Sequence, residues 1–279
     1  MEKIEFKVTE KVDLGKELRK RLPLFSNYQI EKLFKDKDVK VNGVRKTKPC
    51  IITPEDSVEV YYSSVNDEPW HTIVYEDDNI LIVNKRAGIE VVSENDRNLF
   101  DILKMQYNEL YAVHRIDRNT EGLVIFAKNN VAETELLKAF KERTITKKYL
   151  LKVKGKVEIE AIKPKLYLKK LADKSKVIIS EVKTSGYEEI ITKFSLIRYV
   201  EGDSVLEAEL VTGKTHQIRA HISYFGYSIV GDGKYGVGEN KQMCLTAYSM
   251  AFKFAKKSPL EYLNTKYFEI IPTWWEQDL

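Results

Sequence analysis

Leucines recur at a helical interval near the start of the chain. Leu14, Leu18 and Leu22 fall at i, i+4 and i+8 and make one apolar face, and Asp13 stands at the N-cap position, so a helix is predicted over 13–21. Ser26 or Asn27 can cap a second helix whose Ile30, Leu33 and Phe34 face inward. Val39 to Val44 alternates and turns at Asn42-Gly43, a hairpin signal. Pro54-Glu55-Asp56 turns the chain into a further alternating strand, Ser57 to Tyr61. Residues 1–62 therefore read as a small α+β domain. Residues 63–70 are polar up to Pro69 and read as a linker.

Strand patterns dominate residues 71–279. Ile80 to Val83 and Leu123 to Ala127 are short and apolar, as for buried strands. Tyr149 to Val153, Ile190 to Val200 and Val205 to Val211 read as further strands. Asn129 or Asn130 begins a helix reaching about Arg143, with Val131, Leu136, Leu137 and Phe140 as its expected core face. A second helix is expected from Thr215 to Tyr224, stopping at Gly226. The fold class is α+β: a mixed, mainly antiparallel central sheet with flanking helices, preceded by the small N-terminal domain.

Composition narrows the setting. The chain has 279 residues, 43% hydrophobic and 32% charged, ordinary proportions for a globular protein. No apolar run approaches ~18 residues, which argues against a membrane span, and the first residues lack a signal-peptide core. Cys50 and Cys244 are the two cysteines and have no metal spacing, so a reduced cytoplasmic protein without a metal is expected. The net charge of +4 is unevenly placed: residues 1–62 hold 14 Lys/Arg against 11 Asp/Glu, the rest 32 against 31. That bias suits a nucleic-acid-gripping appendage, and equally a solvated charged surface. Its candidate phosphate contacts are Lys16, Arg19, Lys20 and Arg21 on the first helix and Lys32 and Lys35 on the second.

Two runs carry candidate chemistry. His114-Arg115-Ile116-Asp117-Arg118-Asn119-Thr120-Glu121-Gly122 sets one carboxylate between two guanidinium groups just before an apolar strand. Such a carboxylate either ties a charge network or serves as an ionised nucleophile or base. Leu210-Val211-Thr212-Gly213-Lys214-Thr215-His216-Gln217-Ile218-Arg219-Ala220-His221 follows about a hundred residues later. On its predicted helix Ile218, Ile222 and Phe225 face the core, which leaves His216 and Arg219 on an adjacent face.

Together these runs resemble the RluA-type pseudouridine synthases, which convert uridine to pseudouridine in structured RNA. The family carries His-Arg-Leu-Asp-x-x-Thr-Ser-Gly and, later, Arg-Thr-His-Gln-Ile-Arg-x-His. The likeness runs from about residue 72 to 270. It implies a pseudouridine synthase fold over 71–279, with Asp117 as catalytic nucleophile or stabiliser and Arg219 as its partner. Tyr149 matches the active-site tyrosine, whose face can stack on uracil and whose hydroxyl can help remove the C5 proton. Arg115 matches a residue that fills the space a flipped base leaves, and Leu245 an apolar pocket residue. Gly231-Asp232-Gly233-Lys234-Tyr235-Gly236 matches a block read as structural support. The small domain resembles an RNA-binding domain of a ribosomal small-subunit protein. No cofactor is implied, because the isomerisation needs neither redox nor phosphate chemistry. RNA is the implied partner, ribosomal first and transfer RNA second; a monomer and no membrane partner are expected. The competing function is a non-catalytic RNA-binding or ribosome-assembly factor that keeps the fold.

Three positions depart from the family pattern. Glu121 replaces the usual Ser, and so near the RNA an unpaired carboxylate would repel phosphate. Lys214 replaces Arg, which keeps the charge and loses the fork, and Thr246 stands where many members carry His. Other motifs fail on context. Gly231-x-Gly233-x-x-Gly236 fits a dinucleotide pattern but is followed by poor helix material. Gly213-Lys214-Thr215 lacks the earlier glycine of a phosphate loop, since Ala208 stands there, and His114-Arg115-Ile116-Asp117 lacks the other kinase signatures. The four histidines have no metal spacing.

Overall fold

In the computed structural model, the described residues are 2–22, 25, 27–62, 70–94, 98–171, 176–236 and 242–275, without the side chains of 27–29 and 32. The chain divides into two compact units, Met1–Pro69 with Glu94–Arg97, and Trp70–Ser93 with Asn98–Leu279. The expected linker, apart from Trp70, lies outside the described residues.

The smaller unit is built from β1 (Glu2–Phe6), β2 (Val12–Asp13), α1 (Leu14–Arg21), α2 (Asn27–Lys35), β3 (Val39–Val41), β4 (Val44–Lys46), β5 (Ile51–Ile52) and β6 (Val58–Tyr62). The Asp13 carboxylate accepts the Lys16 N–H at 2.9 Å and caps α1. Leu14, Leu18 and Leu22 are buried together with Ile30, Leu33 and Phe34 against Val39, Val58 and Val60. Asn42 and Gly43 take positive φ of 51° and 76°, the turn the dipeptide predicts. Lys16, Arg19, Lys20, Arg21 and Lys35 are exposed; Arg21 pairs with Glu17 at 2.7 Å. The expected cap Ser26 and the Lys32 side chain lie outside the described residues.

The larger unit comprises β7 (His71–Glu76), β8 (Ile80–Lys85), α3 (Leu99–Lys104), β9 (Tyr111–Ala112), β10 (Glu121–Ala127), α4 (Asn130–Glu142), β11 (Ile145–Val153), β12 (Lys165–Lys170), β13 (Val177–Ser180), β14 (Glu188–Val200), β15 (Asp203–Leu210), α5 (Gln217–Tyr224), β16 (Leu245–Phe252) and β17 (Tyr267–Glu269). The sheet order is β13-β12-β14-β15-β11-β16-β10-β8-β7, with β17 beside β16 and β9 beside β10. Among the described pairings only β10 with β16 is parallel. Both faces of β8 and β10 are covered: Leu81, Val83, Val124 and Phe126 enter one core, Ile80, Ile82, Leu123 and Ile125 the other. That explains their unbroken apolar runs. Where β10 meets β16, Gly122 has φ of 125°, and a Cβ there would strike the Ala247 backbone, so this crossing requires glycine.

Three details differ from the sequence reading. On α4 the buried residues are Ala132, Leu136 and Ala139, while Val131 and Leu137 are exposed. The small alanines let the helix lie close to the sheet, which turns the larger flanking side chains outward. Strand β11 begins at Ile145, four residues early, because it pairs with β16 from Phe252 onward. Helix α5 begins at Gln217, since His216 takes a left-handed conformation (φ 55°, ψ 18°) that no helix interior allows.

Candidate active site

Asp117 sits on the loop between β9 and β10, and several bonds hold that loop. Thr120 donates its N–H to the Asp117 carbonyl at 3.1 Å, closing a turn. The Arg118 carbonyl accepts from Gly88 N–H at 2.8 Å, and the Arg118 Nε donates to the Gly88 carbonyl at 3.0 Å. Beneath the loop, the fully buried Lys85 ammonium donates to the carbonyls of Arg86, Ile89 and Arg118 at 2.7, 2.8 and 3.1 Å. All three of its protons are used, so Lys85 acts as a peg. His114, at the other end, accepts the Ile125 N–H at Nε2 and stacks on Phe140, ring centroids 4.7 Å apart. Burial, helped by the charge of Lys147, pushes its pKa down to about 3, so the ring is neutral and carries its proton on Nδ1.

Arg219 comes from α5, whose start is fixed by Gln217. The buried Gln217 amide accepts from Thr212 Oγ1 and Lys214 N–H and donates to the Ile191 carbonyl and Thr192 Oγ1, all within 3.1 Å. From that fixed start Arg219 reaches two carboxylates. Its Nη1 donates to Asp117 Oδ2 at 2.9 Å. Its Nε and Nη2 donate to Asp232 Oδ2 and Oδ1, both at 2.8 Å. Burial disfavours charge on Asp232 and Arg219 alike, but their mutual hydrogen bonds and attraction outweigh it; the Asp232 carboxyl is held below its usual range. Asp232 also accepts the N–H groups of Lys234 and Tyr235, so it is fully engaged.

Tyr235 extends the network. Its hydroxyl accepts the Val177 N–H at 2.9 Å and lies 2.9 Å from His216 Nδ1. The other ring nitrogen of His216, Nε2, lies 3.9 Å from Asp117 Oδ2.

Asp117, His216 and Arg219 line one cleft of about 500 Å³, together with Arg115, Thr120, Tyr149 and Leu245. Tyr149 and Leu245 are buried, Arg115 is exposed, and its Nη2 lies 3.7 Å from Glu90. Burial and the nearby Asp117 charge push the Tyr149 hydroxyl well above its ordinary pKa, so the phenol stays protonated at neutral pH. The protonated oxygen is a poor base. The volume suits a small ligand such as a nucleotide.

Sequence reasoning placed Asp117, Tyr149, Arg219, Arg115 and Leu245 in a common site, and the structure brings all five to this cleft. Lys16, Arg19, Lys20 and Lys35 belong to the smaller unit. The sequence reading took the block holding Asp232 and Tyr235 as structural support without naming what either supports, and it gave Gln217 and Lys85 no role. The only sequence signal for Asp232 was its place in the glycine block, because nothing local shows which guanidinium it meets.

Glu121 corrects an expectation. It is not an unpaired exposed carboxylate: it is buried, accepting from Thr246 Oγ1 at 2.7 Å, Thr273 N–H at 3.0 Å and Oγ1 at 2.8 Å, and Gln242 Nε2 at 3.2 Å. Parallel pairing sets Glu121 opposite Thr246, so two of the three departures from the family pattern are one contact. Lys214, the third, pairs with Glu188.

Residues 79–224 match the family model described as RNA pseudouridylate synthase. The chain belongs to that family. It is 32% identical to an uncharacterized RNA pseudouridine synthase of Mycoplasma capricolum, over 88% of this chain and 89% of the relative. It is 29% identical to the ribosomal large subunit pseudouridine synthase C of Rickettsia bellii, over 91% and 95%. Among solved structures, human RNA pseudouridylate synthase domain containing 4 aligns with a TM-score of 0.60 at 18% identity, covering 74% of this chain and 91% of that one, which shows the shared fold. The chain is thus an RNA pseudouridine synthase of RluA type, an isomerase acting on uridine in RNA. Among the described residues no helix is long and apolar enough to cross a membrane, and no group of His, Cys, Asp or Glu is arranged to hold a metal.

Proposed function

We propose that this synthase isomerises a specific uridine in structured RNA, with ribosomal RNA as its substrate class, and that Asp117 carries the reaction. The supporting observation is the 2.9 Å bond from Arg219 to Asp117 inside a cleft large enough for a nucleotide. The bond between ribose C1′ and uracil N1 must break, the ring must turn and rejoin through C5, and the C5 proton must leave. A carboxylate aimed by a guanidinium is suited to attack or to stabilise the separated sugar or ring. Tyr149 stacks on the uracil, and Leu245 walls the pocket beside it. The target base must leave its stack to enter, and Arg115, exposed at the cleft, fills the space it vacates. The name of the Rickettsia bellii relative supports a ribosomal substrate. The smaller unit grips flanking RNA through Lys16, Arg19, Lys20, Lys32 and Lys35.

The test is tritium release from cellular RNA labelled at uridine C5, with wild type beside Asp117→Asn. The expected result is label lost to water with wild type alone. Retained RNA binding without release by wild type on any RNA would instead favour the non-catalytic binding factor.

A further inference from the structure

The cleft extends beyond the reacting pair. Lys147 and Tyr149, two residues apart on β11, both line it, while Lys148 between them pairs with Glu207 at 2.9 Å, and the register shifts between Lys148 and Tyr149. The Lys147 ammonium lies 5.1 Å from the Phe140 ring centroid and packs against Gly213, where a Cβ would come within 3.6 Å of Nζ. Among the described residues no carboxylate or hydrogen-bond acceptor meets it.

The other charged or titratable groups of the cleft do not supply one. Asp117 is bonded to Arg219, Glu189 is paired with Lys165 at 2.6 Å, and Lys214 is paired with Glu188. His114 and His216 are neutral neighbours with lowered pKa values, and Arg143 adds positive charge. A half-buried cation without a counter-ion is stabilised when a ligand brings one. In an enzyme whose substrate is a polyanion, that ligand is a phosphate.

We propose that Lys147 is the seat of a backbone phosphate flanking the target uridine, so that ring and phosphate are held by two cleft-lining positions of one strand. This rests on the RNA-uridine reading of the cleft. It assigns Lys147 a substrate-positioning role separate from the chemistry at Asp117. Burial has pulled the Lys147 pKa down to about 8, so the seat is charged below that pH and empties of charge above it. Phosphate affinity through Lys147 is therefore full below pH 8 and falls as pH rises through it.

The test compares uridine, uridine 5′-monophosphate and uridine 3′-monophosphate binding to the full-length protein, as wild type, Lys147→Met and Lys147→Arg. Wild type is expected to prefer one monophosphate over uridine by roughly 10-fold or more, the worth of a charge-assisted hydrogen bond. The preference should vanish in Lys147→Met, persist in Lys147→Arg, and decline above about pH 8 in wild type only. A wild type without preference, or a Lys147→Met protein that retains it, overturns the proposal. A Lys147-dependent preference in a protein that releases no tritium from any RNA would keep the phosphate seat and remove the proposed reaction. Tritium release without such a preference would do the reverse.

Discussion

Asp232 takes two hydrogen bonds from Arg219 Nε and Nη2, at 2.8 Å each, and leaves Nη1 to donate to Asp117 at 2.9 Å. The guanidinium is thus fixed by the carboxylate that does no chemistry and offered to the one proposed to react. Asp232→Ala should strand a buried cation and cost about 3–5 kcal/mol of stability, read by urea unfolding. Asp232→Asn should fold better, yet lower kcat much more than it raises KM, because Arg219 loses its aim. Equal changes in the two constants would show that Asp232 supports only the fold.

Tyr149 is expected to act through its ring. Tyr149→Leu should weaken RNA binding by about 1–3 kcal/mol, the value of one base stacked on an aromatic. Tyr149→Phe should bind as wild type does, since the hydroxyl has no hydrogen-bond partner among the described residues and stays protonated. Equal weakening by both substitutions, measured as Kd for a modified RNA fragment, would contradict this.

Glu121 and Thr246 should be coupled energetically. A double-mutant cycle with Glu121→Gln and Thr246→Val is expected to give an interaction energy of roughly 0.5–3 kcal/mol in thermal or urea unfolding. Because Glu121 is buried and hydrogen-bonded within the protein, neither change should alter the salt dependence of RNA binding. A steeper or shallower salt dependence in Glu121→Gln would return that carboxylate to the RNA surface.

His221 predicts a loss of stability in acid. It is fully buried, with Nε2 at 2.9 Å from the Lys163 carbonyl and Nδ1 lacking a partner among the described residues, and burial pushes its pKa down to about 4. The unfolded state takes up the proton near pH 6.5 and the folded state only near 4, so this contribution is intact above 6.5 and lost as pH falls toward 4. The loss should approach about 3 kcal/mol. Replacing His221 by Gln should flatten the pH dependence of unfolding over that interval; an unchanged slope would assign the acid sensitivity elsewhere.

The exposed basic residues of the smaller unit should set the ionic-strength dependence of RNA affinity. Replacing Lys16, Arg19, Lys20 and Lys35 together by Gln should weaken binding and reduce the salt slope, by up to roughly 0.7–0.9 for each phosphate that is no longer neutralised. An unchanged slope between ~50 and ~200 mM salt would give the smaller unit another task.

Much was decided within short stretches of chain. The cap at Asp13, the leucine interval of α1, the Asn42-Gly43 turn and the double-sided runs of β8 and β10 are local patterns, and local sterics and hydrogen bonding suffice to realise them. The pairing of Asp117 with Arg219 was legible only because two long motifs resembled one family. Their residues are 102 positions apart, and no periodicity links them. The rest depended on the assembled sheet. Parallel pairing of β10 with β16 buries Glu121 against Thr246, where position beside Asp117 alone had suggested an RNA-facing charge. Close packing of Ala132 and Ala139 turned Val131 and Leu137 outward on α4. The left-handed His216 and the Gln217 bonds set where α5 begins, and the fold carries Asp232 to the far side of the guanidinium. A sequence specifies which side chains carry charge and which carry apolar surface; which charge meets which is decided by strands that pair across long separations, since burial makes an unpaired charge costly and only the folded chain brings its partner within reach.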